Sequence, residues 1–266
     1  MAIASVGTLG SALSTTANQS TLVLTTGATV TVGQHITLII AFDNTQTTDG
    51  TSSGVSGVTD SAGNTWFKGH EYTNGNGTAQ TGASCALWHC RVTTQLNSGG
   101  TITATFANSG NTDASAMSAW RWSTAAGARL AIEGTVGGLA NDAAAAGSLN
   151  VTTSNIGCLR IRAIASESSS TTALTKTAAF TAVLTQAVSG AGTSNTEMGI
   201  RGEYLISTST GQASAPTAGA GAVDHASVYV AFREAALQTL TPSLFTDTDT
   251  FFAPTVTIFT AQVQVT

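Results

Sequence analysis

SCALWHCRVTTQLNSGGTITATF, residues 84–106, decides the fold class. Its first half sets Ala86, Trp88, Cys90 and Val92 in alternation with Cys85, Leu87, His89 and Arg91. Its second half sets Ile102, Ala104 and Phe106 against Thr101, Thr103 and Thr105. A period of two marks a strand with one face toward a core and the other toward a wetter surface. Between the halves, Asn97, Ser98, Gly99 and Gly100 supply turn chemistry, since glycine takes positive φ at little steric cost. The stretch reads as a hairpin.

The same grammar extends in both directions. Upstream, 20–25 and 28–32 are short strand candidates, and HITLIIAFD at 35–43 is apolar on both faces, as a central strand should be. Two polar loops, 44–54 and 74–82, flank a turn at Ser61, Gly63 and Asn64 and a strand carrying Trp66, Phe67 and Tyr72; the second loop reads as exposed and mobile. Downstream, Ala116, Trp120 and Trp122 share one side of a strand. Leu159, Ile161, Ala163 and Ala165 point inward while Arg160 and Arg162 point out. Met198, Ile200, Tyr204 and Ile206 share a face, and Val228, Val230 and Phe232 close the series. An alanine run at 143–146 reads as one helical turn. About a dozen short strands separated by turn signals predict an all-β chain, a jelly-roll-like antiparallel β-sandwich over 1–235.

Composition shifts at Ala235. Pro242 and Pro254 bracket Phe245, Phe251 and Phe252 in a stretch too apolar for a flexible linker and too short to own a core. Residues 236–266 therefore read as a short C-terminal β-arm that lies on the parent sandwich or, the favoured reading, on a neighbouring subunit.

Only 9% of the residues are charged, against about 25% in ordinary soluble domains, and Thr, Ser, Asn and Gly supply the polarity instead. That surface suits an assembly or an extracellular setting. A net charge of −5 with scattered basic residues argues against nucleic acid. No apolar run reaches the roughly 20 residues of a membrane span. The N-terminal stretch lacks a signal peptide's basic start and apolar run, so synthesis in a cytoplasm without export by the usual route is expected. Cys85, Cys90 and Cys158 form no disulfide framework; Cys85 and Cys90 fall on opposite strand faces, roughly 16 Å apart, and buried free thiols are expected.

No catalytic constellation is legible, and neither a cofactor nor a metal is expected. His35, His70, His89 and His225 lack metal-ligand spacing, and His89 with Cys85 and Cys90 is a weak cluster on one strand. Asp43, Asp49 and Asp60 lack a calcium-loop pattern. His70 and Glu71 read as a solvated strand end, and Asp247 and Asp249 as polar edge positions or a cation site between subunits. Trp88, Trp120 and Trp122 are in phase with the core; Trp66, just after a loop, is the candidate ligand contact.

Two sets of residues carry a resemblance. VGQHITLIIAFDN, VTDSAGNTWFK, ALWHCRVTTQLNSGGTITATF and the AWRW strand, spanning roughly residues 20–234, resemble β-sandwich proteins among tailed-bacteriophage structural genes, with Gly99-Gly100 where Gly-Asp is commoner. TLTPSLFTDTDTFFAPTVT resembles a short unit, LTPSLFTNTNTFYAPTV, at the ends of virion-associated proteins of phages and prophages; Asp247, Asp249 and Phe252 replace its usual Asn, Asn and Tyr. The resemblance implies a non-enzymatic virion protein made in a host bacterial cytoplasm. Capsid decoration is the first expectation, as a trimer or other symmetric homo-oligomer contacting capsid or tail proteins through Leu244, Phe245, Phe251 and Phe252. The alternatives are a glycan-binding tail or fibre component and a bacterial surface adhesin or carbohydrate-binding module.

Overall fold

The computed structural model describes residues 3–237 apart from 76, 80, 109, 111, 135, 142–146, 168–173, 189–196, 216 and 219–223. The described residues form antiparallel strands and no helix, in sheets packed face to face. The alanine run and everything after Leu237, including Leu244, Phe245, Asp247, Asp249, Phe251 and Phe252, lie outside them.

The central sheet has six strands in the order β1 (Ala4–Ser14), β9 (Ser115–Ser123), β3 (His35–Asp43), β7 (Ala83–Arg91), β6 (Trp66–Thr73) and β4 (Gly50–Thr51). A three-stranded sheet, β2 (Thr21–Thr25), β8 (Thr101–Phe106) and β5 (Val55–Asp60), covers one face. The other face meets a second large sheet of β10 (Ala128–Ile132), β19 (His225–Ala236), β13 (Leu159–Ser166), β16 (Met198–Ile206) and β15 (Thr181–Val188), with β11 (Gly137–Asn141) also paired to β19. Two small ladders complete the list: β12 (Leu149–Asn150) with β17 (Ala213–Ser214), and β14 (Leu174–Thr175) with β18 (Thr217–Ala218).

Being covered twice explains why β3 is apolar at Ile36 and from Leu38 to Phe42. Ile36, Leu38, Ile40 and Phe42 fill the core shared with the three-stranded sheet, while Ile39 and Ala41 fill the core shared with the larger one. All nine residues of β3 are buried. The sandwich expectation holds, with a third layer added. Cys85 and Cys90 fall into these two different cores, and all three cysteines are free and buried.

The hairpin expected at 84–106 is not formed. Its strands exist, but β7 belongs to the central sheet and β8 to the three-stranded one. Trp88 and Cys90 look across a single core at Ile102, Ala104 and Phe106. Alternation reveals which face is buried, and facing strands of two sheets satisfy it as well as side-by-side strands of one. The glycine turn is real: Gly99 sits at φ 83° and donates its N–H to the Thr26 carbonyl at 2.7 Å, tying the crossover to the end of β2. Of the candidate strand at 28–32, only a bridge between Val30 and Leu96 forms. Strand β1, with bulges around Gly7 and Gly10, is not among the strand candidates of the sequence, since it buries only Leu9 and so carries no apolar alternation.

Arg160 and Arg162 point away from the main core as expected, but they do not reach water. Both are fully buried on the far side of the large sheet. Arg160 donates to the Val151 carbonyl at 2.7 Å and to Thr153 Oγ1 at 2.6 Å. Arg162 donates to the carbonyls of Ser214 at 2.6 Å and Gly147 at 2.8 Å and to Ser227 Oγ at 3.1 Å. The covering chain runs through β12 and β17, where a small cluster of Val151, Phe180, Tyr229 and Ala231 packs. The terminal N–H groups of each guanidinium supply this cover with donors for its carbonyls and hydroxyls.

Candidate binding groove

The sequence-predicted site residues are dispersed. Trp66 is a correction: it is 8% exposed, packs in the core under the three-stranded sheet, and donates its Nε1–H to Asp60 Oδ2 at 2.8 Å. Its apolar body is consumed by packing, which leaves no open face for a ligand. Asp60 also receives the N–H groups of Ala62 and Asn64, fastening the turn that switches the chain from β5 to β6. Asp49 accepts from Gly75 N–H at 2.8 Å. Asp43 accepts from the N–H groups of Asp113 and Ala114 at 2.6 and 2.7 Å, and burial pushes it up to about 7. These three carboxylates fasten separate segments. Among the described residues no group of His, Cys, Asp and Glu could hold a metal, and His89 is not joined by Cys85 and Cys90 in such a group.

Glu71 is also a correction. It is 1% exposed and accepts from Ser52 Oγ and Lys68 Nζ, both at 2.8 Å, and from the N–H of Gly54. A bulge between Lys68 and His70 swings this carboxylate inward against the 44–54 loop. The two polar loops are equally far from independent. Asn44 is fully buried, donating to the carbonyls of Gln46, Gly75 and Thr78 and accepting from Gly82 N–H. One side chain thus binds the loops to each other, and the second loop, expected to be exposed and mobile, is tied down at both ends.

The described residues do converge at the other end of β3, around a groove of about 610 Å³. Strands β3, β6 and β7 of the central sheet supply His35, Phe67, Lys68, His89 and Arg91. Strand β10 supplies Arg129 to Ile132 along the opposite wall, and Leu237 closes the rim just after β19. The floor is aromatic: His89 lies 4.9 Å edge-on to Phe232 and 5.9 Å from Phe67. His35 Nε2 accepts from Leu130 N–H at 3.3 Å, which pins β10 over the start of β3. Burial lowers both histidines to about 4, helped at His35 by the nearby charge of Arg91, so both are neutral at pH 7.

Among the described residues no carboxylate lines this groove. Lys68 is committed to Glu71 and lies 5.4 Å over the Trp88 ring. Arg91 and Arg129 have no ion-pair partner among the described residues. The result is an apolar trough with two available cations, suited to a partner that presents apolar groups beside negative charge. Sequence reading missed it because its parts come from five separated segments. The one local signal was Phe67, which alternates out of phase with the buried Trp66 and is 55% exposed. Comparison with protein-family models, with curated proteins and with solved structures finds no match for this chain, so its own residues carry the functional reading.

Proposed function

We propose that this chain is a non-enzymatic structural protein of a tailed-phage virion, a decoration protein that binds the assembled shell. The resemblance over residues 20–234 and the unit at 239–257 support the reading. The observation that carries it is how the buried charge is used. Arg160, Arg162, Glu71, Glu203 and Asp43 all hold strands and loops together, and none is displayed to a substrate. Such a body is a rigid scaffold. The apolar, nearly uncharged segment after it is then the part that docks, with Leu244, Phe245, Phe251 and Phe252 as its contacts.

A protein that binds only the assembled lattice stabilises it by mass action, since binding energy is gained in that state alone. Aromatic anchors dominate interfaces of this kind, and losing two of them costs about 2 kcal/mol or more each. Phe251→Ala with Phe252→Ala is therefore expected to lower occupancy on purified particles by at least about a hundredfold at limiting protein concentration. Soluble expression and thermal unfolding of the sandwich stay unchanged. Wild-type occupancy in that variant contradicts the proposal.

A further inference from the structure

We infer that the groove between β7 and β10 is a binding site for a small aromatic anion, a planar ring system carrying one carboxylate. The site does not depend on the virion reading and adds a ligand to it.

The groove opens at one end of the core between the two large sheets. Along β7, Cys85 and Leu87 fill that core, and His89 and Arg91 continue the same face into the groove. Cross-strand pairing sets Phe67 beside His89 and His35 beside Arg91. The site therefore has a row of rings and a charged row one strand repeat apart, about 7 Å. A two-ring acid spans that spacing, with its rings on the first row and its carboxylate at the second.

The ring row is open to a ligand. Phe67 is 55% exposed and lies 5.9 Å from His89, tilted by 33°, and His89 meets Phe232 edge-on behind it. A flat aromatic group gains most from such a surface, by offset or edge contacts with the rings. Ile132 and Leu237, both also exposed, stand along the groove, so three of the eight large hydrophobic residues exposed among the described residues gather here. Soluble proteins seldom leave such residues grouped without a binding role. The volume of about 610 Å³ falls in the roughly 300–1,000 Å³ range of small-ligand sites, which are mostly apolar with few polar groups.

The charged row selects an anion. Arg91 Nε is shielded from water and has no hydrogen-bond partner among the described residues. A shielded donor without an acceptor costs free energy, and an incoming carboxylate oxygen removes that cost. Neither Arg91 nor Arg129 has an ion-pair partner among the described residues, and no carboxylate among them lines the groove. Guanidinium groups match a planar carboxylate in geometry as well as charge. With His35 and His89 neutral, the arginines carry this selectivity.

The probe is 2-naphthoate, titrated calorimetrically into the intact 266-residue chain, with 2-naphthalenemethanol as its uncharged counterpart. Naphthoate is expected to fill one site per chain, and the alcohol to bind about tenfold more weakly, since a hydrogen bond to a charged group is worth about that factor. Arg91→Gln and Arg129→Gln each weaken naphthoate about tenfold and leave the alcohol unchanged. Phe67→Ala weakens both compounds about fivefold. Val23→Ser, at an exposed position on the three-stranded sheet, alters neither. Thermal unfolding checks each variant, and the exposed position of Arg129 keeps the test valid if Arg91→Gln fails to fold. Absence of naphthoate binding up to about 1 mM overturns the inference. So does equal binding of acid and alcohol, or naphthoate binding that Arg129→Gln and Phe67→Ala leave unchanged. Occupancy on particles is a separate readout, so any of these failures leaves the virion reading standing.

Discussion

Replacing Arg162 by Ala is expected to destabilise the protein by about 3–5 kcal/mol, the range for breaking a buried, hydrogen-bonded charge site. The guanidinium is fully buried and donates to two carbonyls and a hydroxyl, and its removal leaves Ser214 O, Gly147 O and Ser227 Oγ without these bonds. It also leaves Glu203 exposed to the full cost of burial. This carboxylate sits opposite Arg162 in the β13–β16 ladder, is 2% exposed, and holds the Thr177 N–H and hydroxyl at 2.7 Å and the Ser214 hydroxyl. Burial pulls Arg162 down to about 10, with the Glu203 charge opposing that shift. The guanidinium thus remains charged at every pH where the protein would be handled. Arg162→Met fills the space without supplying donors, so it recovers little; adding Glu203→Gln removes the orphaned charge and recovers part of the loss. Urea unfolding of the four proteins measures this. A loss below about 1 kcal/mol for Arg162→Ala means that water replaces the arginine and that β12 and β17 are not a sealed cover.

Acid is expected to destabilise the groove end of the molecule through His35 and His89. Each titrates near 4 when folded, against 6.5 for a free histidine, because burial disfavours the imidazolium. A lowered folded value means that the unfolded chain binds the proton first. The stability contributed by neutral histidine is complete above about pH 6.5 and is lost as pH falls toward 4, by about 3 kcal/mol per histidine. Two carboxylates act in the opposite sense: burial raises Asp43 to about 7 and Glu167 to about 10, so protonating them on acidification favours the fold. A paired comparison isolates the histidine effect. His89→Phe keeps the ring against Phe67 and Phe232 and removes the titration. Between pH 7 and pH 4.5 it should lose about 2 kcal/mol less stability than wild type. Equal losses would show that His89 is already hydrated in the native state.

The contrast between these two regions shows what the chain states openly. Strand β3 is legible because burial on both faces demands a nearly unbroken apolar run, here Ile36 and Leu38 to Phe42. Strands β7, β9, β13 and β19 are legible from their alternation for the same reason. Sheet membership is not, since β7 and β8 obey one pattern and lie in different sheets. Arg160 and Arg162 look like solvent-facing residues because their cover is built from two-residue ladders and loop carbonyls, which leave no periodic signal. The candidate site follows the same logic. Trp66 has the expected position after a loop, but Asp60 draws its indole N–H inward. The groove depends on where β10 falls relative to β6 and β7, a tertiary fact that neither local pattern nor spacing encodes.

The claim at the centre of this account is that the sandwich is a virion scaffold fixed to the head surface. Antibody-gold labelling of intact particles, viewed by electron microscopy, tests it most directly. Gold distributed over the head, and lost with Phe251→Ala and Phe252→Ala, is the predicted result. Gold confined to the tail or its fibres, or particles that lack the protein by denaturing blot, would contradict it.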